Sequence, residues 1–248
     1  KNISKTLNYI SEIKDETLKY SEWYYGPQKR FFVSPQLKFF LGKPWLKKGT
    51  ITGAFQNVKE SRISRKFQEL SRFYYNEKVN VFSLNTDFYG FGGIDFSFSY
   101  GLELTHNAIK SNAFSKDLVV KNGEISNLIN FENIPSRYPD GGSSYSSFAA
   151  YFNFIYQLSD KLTFNTGFRI TSTLLRANWN DSTRVNKLLS SLDLRNEALT
   201  GTIAVTYQPK EKWQLSSLLS SGFRNPNIDD IGKVRENAGI LLVPNSFL

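Results

Sequence analysis

The chain of 248 residues is 40% hydrophobic, 15% aromatic and 21% charged, with a net charge of +9, no cysteine and one histidine. Disulfides and cysteine-based metal sites are excluded, and His106 alone leaves little for histidine catalysis or a histidine metal centre. Mean hydropathy is −0.38 and no run of about 18 apolar residues occurs, so no transmembrane helix is expected; a β-barrel escapes this test, because its strands alternate lipid-facing and lumen-facing residues.

The length suits one domain, or part of something larger. The chain opens at Lys1 without a methionine or signal peptide and ends at Phe247-Leu248, which reads as a piece of a longer polypeptide. The basic residues are scattered, often beside turns (Lys43, Lys47, Lys48, Lys161, Lys210, Lys212), which points to solvated rims and away from a nucleic-acid surface.

Residues 1–30 show weak periodicity, then an aromatic cluster, Trp23-Tyr24-Tyr25, meets the turn at Gly26-Pro27. That cluster suits a strand end or an interfacial girdle. Phe31 to Leu41 is the first predicted strand, with Pro35 marking a bulge or an edge. Thr50 to Arg65 is the second, and Lys66 to Lys78 reads as a polar and aromatic connection. Val79 to Phe88 is the third, with Phe82, Leu84, Thr86 and Phe88 on one side. Ile94 to Thr105 carries the cleanest signal: Ile94, Phe96, Phe98, Tyr100, Leu102 and Leu104 alternate with Asp95, Ser97, Ser99, Gly101, Glu103 and Thr105. That run is longer than the five or six residues typical of a globular sheet, and it suits a membrane-spanning barrel strand of roughly 9–11 residues plus an extension.

Asn107 to Gly142 reads as a long connection closed by a Pro139-Asp140-Gly141-Gly142 turn. Tyr145–Leu158 and Leu162–Leu174 then form a hairpin about Ser159-Asp160-Lys161. After a second long polar stretch, Leu175 to Glu197, the strands Ala198–Gln208 and Trp213–Phe223 are joined by a tight turn at Pro209 to Lys212. Ser220 to Asn245 refuses to continue as strand: Pro226 has no amide proton, and Asn225-Pro226-Asn227 reads as a turn.

Eight strands result. Their connections alternate between short (42–49, 89–93, 159–161, 209–212) and long (66–78, 106–142, 175–197, and from 222 onward). In antiparallel up-and-down order all short turns fall at one end, as in outer-membrane barrels. The expected fold is an all-β, antiparallel transmembrane barrel segment. Eight strands cannot close a barrel of the larger class, so an open sheet with unpaired edges is expected.

Four motifs carry a resemblance: Glu22-Trp23-Tyr24-Tyr25-Gly26-Pro27-Gln28; Ala54-Phe55-Gln56 with Glu60-Ser61-Arg62; Arg137-Tyr138-Pro139-Asp140-Gly141-Gly142; and Gly222-Phe223-Arg224 with Pro226-Asn227. In combination they resemble the barrels of TonB-dependent outer-membrane receptors, in the version found in Bacteroidetes-like proteins, over about Tyr20 to Asn245. The resemblance implies a 22-stranded barrel with an N-terminal plug that takes up scarce ligands, most often an iron chelate (siderophore) or haem. Residues 1–248 would then be a partial barrel domain without the plug and the remaining strands. The implied partners are the TonB-ExbB-ExbD complex, reached through the plug, membrane lipid and lipopolysaccharide, and a surface lipoprotein or other outer-membrane subunits; nucleic acid is not among them. The family usually continues past Val243-Pro244-Asn245 with a further proline, where this chain reads Ser246-Phe247-Leu248, and Arg235 stands where an aromatic is common.

No catalytic constellation is evident, and no cofactor is called for. Asp229-Asp230 is an acid pair, but loop neighbours of this kind more often cap or are solvated. His106 is a candidate iron or haem ligand, or simply a polar residue at a strand end. Arg137, Arg169 and Arg224 are candidates to line the lumen or ligand mouth, or to form ion pairs in the barrel wall. Arg224, Asp229, Asp230 and Lys233 are expected to order the barrel mouth through ion pairs. Two functions of different kind fit: an energised transporter, and a receptor-like barrel serving as a structural subunit of an outer-membrane assembly. A soluble β-rich sugar-binding module is a third, weaker fit.

Overall fold

The computed structural model describes residues 19–180 and 190–231, together with the backbone of two short strands beyond them. In chain order the elements are β1 (Tyr20–Tyr25), β2 (Lys29–Val33), β3 (Gln36–Lys43), β4 (Leu46–Lys66), β5 (Ser71–Phe91), β6 (Phe96–Lys121), β7 (Glu124–Asn133), β8 (Ser143–Ser159), β9 (Leu162–Asn178), β10 (Ser191–Lys210), β11 (Trp213–Ser220), α1 (Ile228–Ile231), β12 (Arg235–Asn237) and β13 (Ile240–Leu242). Strands β1 to β11 form one antiparallel sheet, and β12 pairs with β13. The main path runs β1-β4-β5-β6-β8-β9-β10-β11, and the two ends do not pair with each other, so the sheet is open.

The expected first strand is broken, for a reason Pro35 supplies. β1, β2 and β3 all lie along β4 in succession, Tyr25 opposite Arg62, Lys29 opposite Lys59 and Gln36 opposite Thr52. They act as one edge strand interrupted at Gly26-Pro27-Gln28 and at Ser34-Pro35. A proline cannot donate to the ladder, and an edge is where that loss is tolerated. Counted this way, the eight predicted strands are the eight ranks of the sheet.

Three predicted connections are strand instead. Lys66 to Lys78 shrinks to residues 67–70, because β5 starts at Ser71 and pairs with β4 up to Ser64 opposite Phe73. Asn107 to Gly142 contains twenty-five more residues of strand than read, since β6 continues to Lys121 and β7 returns along it. The turn between them is Asn122-Gly123, both with positive φ (55° and 81°), the two-residue hairpin geometry that this dipeptide favours. Leu175 to Glu197 is shortened from both sides by β9 and β10. Ile94, expected at the start of a strand, lies before β6 and is fully exposed, and β11 ends at Ser220, short of Phe223.

The extra strand length sits at one end. β4 and β5 run 21 residues and β6 runs 26, against about 9–11 needed to cross a membrane. All four turns at the other end are short, at residues 43–46, 91–96, 159–162 and 210–213.

Register divides the sheet into two faces. One carries the rows Gly49-Phe88-Tyr100-Phe152-Phe168-Gly201 and Ile51-Thr86-Leu102-Ala150-Ile170-Leu199, each residue directly opposite the next. Its large apolar side chains are exposed, among them Phe82, Leu104, Phe148, Phe168, Ile170, Leu199 and Ile203. Stacked and tilted ring pairs tie it together, including Phe55–Phe82, Phe98–Phe152 and Phe152–Phe168. A continuous apolar face of this size is not left in water and is the lipid-facing side of a barrel. The opposite, polar face is covered at its long end: Ile228 and Ile231 of α1 pack on Leu175, Ala177 and Trp179, with Ile109, Tyr138, Tyr145, Leu192 and Leu194 around them.

Candidate functional site

The polar face holds a wall of charged and hydrogen-bonding side chains. Thr50, Asp87, Gly101, Tyr151, Arg169 and Thr200 stand directly opposite one another across six strands. Tyr151 lies over Gly101 and its hydroxyl donates to Asp87 Oδ1. Only a glycine leaves this path open: a Cβ at position 101 would stand 1.9 Å from the Thr86 carbonyl oxygen and 2.8 Å from the Tyr151 ring. In the adjacent row Glu103 faces Ala149, which is fully buried, and the small side chain leaves room above it. There Arg169 Nη1 donates to Glu103 Oε2 at 2.9 Å, and Arg169 Nε donates to Thr171 Oγ1 at 3.2 Å. Asp87, Tyr151, Glu103 and Arg169 thus form one polar surface at the depth of the apolar band on the other face.

Nearer the long end, the polar face carries a second group. Glu60 stands opposite Glu77, and Glu77 opposite Ser111. Glu77 is only 6% exposed, and neither carboxylate oxygen accepts a hydrogen bond. Burial pushes its pKa up; Arg62 opposes that, Glu60 adds to it, and Arg137 opposes it. The Arg137 guanidinium lies over the Tyr138 ring, 5.2 Å from its centre, and that of Arg62 lies 5.7 Å from the centre of the Tyr25 ring. Tyr138 hydroxyl donates to Asp229 Oδ1 at 2.7 Å, and burial together with that carboxylate pushes the phenol up to about 12.

The segment after β11 folds back onto this wall. Asn225 Nδ2 donates to Thr173 Oγ1 at 2.8 Å on β9. Asp230 Oδ2 accepts from the Asn227 amide at 3.0 Å, and Asp230 Oδ1 accepts from Arg224 Nη2 at 2.9 Å. Asn227 Oδ1 accepts from the Asp229 and Asp230 amides, closing the turn that starts α1.

The predicted site residues are therefore distributed over three places. Arg169 is in the wall, ion-paired to Glu103. Arg137 is in the segment before β8, within electrostatic reach of Glu77. Arg224 is exposed, and its pair with Asp230 is internal to the loop, while the contacts from loop to wall are Tyr138–Asp229 and Asn225–Thr173. His106 lies inside β6, on the apolar face with Phe82 and Phe55 in its row, and its Nδ1 is 2.8 Å from Ser146 Oγ. The side chain of His106 points away from the wall that holds Arg169 and Glu103. Lys233 lies outside the described residues.

Asp87, Glu103, Tyr151 and Glu77 were not singled out from the sequence. Their alternation places the first three on polar sides of their strands, but partnership depends on cross-strand register, which no single strand reveals. Among the described residues no group of three or more histidine or carboxylate side chains is arranged to hold a metal.

A search among curated proteins finds no match. Solved structures do match. A copper transporter, OprC, superposes with a TM-score of 0.63 at 9% identity, covering 85% of this chain and 32% of its own. The unliganded ferric citrate transporter FecA gives 0.56 at 13% identity, over 87% and 30%. The siderophore receptor PiuA of Acinetobacter baumannii gives 0.51 at 11%, over 81% and 33%. At these identities the likeness is one of fold, and the chain spans about a third of the length of each. No helix among the described residues is long and apolar enough to cross a membrane. The family model for the TonB-dependent receptor-like β-barrel matches residues 5–240, nearly the whole chain. With its apolar outer face, polar inner wall and short turns at one end, the chain belongs to the TonB-dependent receptor family of outer-membrane β-barrels.

Proposed function

We propose that the complete polypeptide of which this barrel wall is a part carries a scarce ligand across the outer membrane, driven by the TonB-ExbB-ExbD complex acting through a plug. The observation that supports this most is the inner wall itself. Asp87, Tyr151, Glu103 and Arg169 present donors, acceptors and both signs of charge at membrane depth, where a lipid-exposed surface tolerates none. Such a wall suits a water-filled passage or a plug with a polar surface. The ligand class is an iron chelate or haem; the named roles of two similar structures, a ferric citrate transporter and a siderophore receptor, support the iron chelate.

Arg137, Arg169 and Arg224 are the cationic side chains assigned to the passage or its mouth, and an anionic chelate is the ligand they fit best. Arg224, at 82% side-chain exposure, is the most available of them. Asp229 ties the loop back through Tyr138, while Asp230 orders the turn within the loop, and the two together shape the entrance.

The test is growth and iron accumulation under iron limitation, with and without the gene. The proposal expects slower growth and reduced accumulation in the deletion strain. Equal growth and equal accumulation would count against it and favour a scaffold role in a larger assembly.

A further inference from the structure

The inner face above the membrane encloses an acid that no contact neutralises. Glu77 is 6% exposed, and neither of its carboxylate oxygens accepts a hydrogen bond. Its cross-strand partner Ser111 lies about 17 Å along β6 from His106, or about 13 Å higher at a strand tilt of about 40°, beyond the apolar band.

Register fixes what surrounds it. Glu60 and Ser111 flank Glu77 in its own row. The row below, Val58-Val79-Ile109, is apolar, and the row above is Tyr25-Arg62-Tyr75-Ala113. The chain between β7 and β8 passes over this place. The Ile134 amide donates to the Ala113 carbonyl at 3.1 Å, and the Tyr138 amide donates to Ser111 Oγ at 3.4 Å. Arg137 is carried by that segment, and the Tyr138 hydroxyl donates to Asp229. Gln28 Nε2 donates to Glu60 Oε2 at 3.5 Å. The charged groups facing Glu77 are therefore Glu60 and Arg62 from β4 and Arg137 from the covering segment, with Asp229 of α1 one tyrosine further off.

Two arginines of this group are placed to receive an anion. Each guanidinium lies against a tyrosine ring, Arg62 on Tyr25 and Arg137 on Tyr138, and neither forms an ion pair with a described carboxylate. Arg62 Nε is buried without a hydrogen-bond partner. A guanidinium with its face on a ring keeps its edge N–H groups for a bidentate acceptor.

Glu77 is the internal competitor for both. Burial among apolar residues and the neighbouring Glu60 favour its neutral form, while Arg62 and Arg137 favour the ionised one. The neutral acid leaves two positive charges uncompensated. The ionised acid cancels one of them from within the wall.

We propose that Arg62 and Arg137 form a binding site for a ligand bearing two or more negative charges, and that the protonation of Glu77 controls its affinity. The inference rests on the assignment of Arg137 to the ligand mouth, and adds to that site a second arginine and a proton. A bound anion and an ionised Glu77 repel each other, so binding takes up a proton at Glu77, and affinity falls as pH rises through the Glu77 folded-state value.

The experiment is isothermal titration calorimetry of the complete receptor in a mild non-ionic detergent, at constant ionic strength, with a benzenedisulfonate as probe. Sulfonates and arginines keep their charge across the range used, so any pH dependence belongs to other groups of the protein. Wild type is expected to bind the probe about tenfold more tightly at about pH 5 than at about pH 8. It is also expected to take up a proton, read as a binding heat that varies with the ionisation enthalpy of the buffer. Glu77→Gln is expected to bind at about pH 8 as tightly as wild type does at about pH 5, without that uptake. Arg62→Gln and Arg137→Gln should each weaken binding about tenfold at about pH 5. Wild-type affinity that does not change with pH, a pH dependence that persists in Glu77→Gln, or binding untouched by both arginine substitutions would each overturn the proposal. The wild-type proton count needs no variant and decides the matter if Glu77→Gln fails to fold. The titration requires neither iron nor a proton-motive force, so it can fail while receptor-dependent iron accumulation holds, and can succeed while that accumulation fails.

Discussion

The Tyr151 hydroxyl reaches Asp87 by crossing directly over Gly101, on the strand that lies between them. The contact links β5 to β8 without involving a β6 side chain, and it exists because position 101 has none. Gly101→Ala places a methyl group against backbone at 1.9 Å and displaces the ring. The expected cost is about 3 kcal/mol or more, as for overpacking with no room to relax. Tyr151→Phe removes the hydroxyl alone and should cost about 1–2 kcal/mol. Thermal unfolding of the complete receptor in detergent ranks the two, and a milder effect from Gly101→Ala would contradict this geometry.

Arg169 and Glu103 are each about one-third exposed, so their pair contributes little to stability, about 1 kcal/mol or less. Arg169→Gln should therefore leave the unfolding temperature almost unchanged. Under the transport proposal it should nevertheless reduce ligand accumulation several-fold. A fall in stability matching the loss of uptake would instead mark Arg169 as structural.

Glu22 ties two arginines at the long end. Arg65 Nε donates to its Oε1 at 3.1 Å, Arg72 Nη2 donates to Oε1 at 2.7 Å, and Arg72 Nε lies 2.7 Å from Oε2. Burial alone would raise the Glu22 pKa, but the hydrogen bonds from Arg72 and Arg65 outweigh it and hold the carboxyl below its ordinary value. A depressed folded-state pKa means stability that is present above the ordinary carboxylate range and lost as pH falls through the lowered value. Glu22→Gln should cost about 1–2 kcal/mol at neutral pH and have a smaller effect in acid. Denaturation of both proteins across the acid range measures this, and a constant difference would contradict it.

Glu77 has the opposite sign. Its pKa is raised, chiefly by burial, so the stability it lends is complete below the ordinary carboxylate range and is lost as pH rises through the folded-state value. Glu77→Gln should then be relatively more stable than wild type at about pH 8 than at about pH 4. The same pH series distinguishes the two glutamates, since their substitutions should diverge in opposite directions.

The barrel face was legible in the sequence because period-two alternation is local: Phe96, Phe98, Tyr100, Leu102 and Leu104 declare one side of β6 without reference to any neighbour. The upper halves of β5 and β6 were not. Above the membrane both faces meet water or polar segments, so Ser71 to Lys78 and Asn107 to Lys121 lose the alternation and read as loop. The local signal in that stretch is the Asn122-Gly123 dipeptide, whose turn closes β6 onto β7. The site residues failed for a different reason. Arg169 was recognisable as a polar-side cation, but its partner Glu103 is 66 positions away and two strands over. His106 resembles a strand-end residue by local pattern alone, because the period-two alternation that marks β6 stops beside it while the strand runs on to Lys121.

The central claim is energised uptake through this barrel. Its most direct test is accumulation of a radiolabelled ferric chelate by cells making the complete receptor, before and after a protonophore collapses the proton-motive force. The account predicts accumulation that depends on both the receptor and the proton-motive force. Accumulation that is the same without the receptor, or that survives the collapse unchanged, would contradict it.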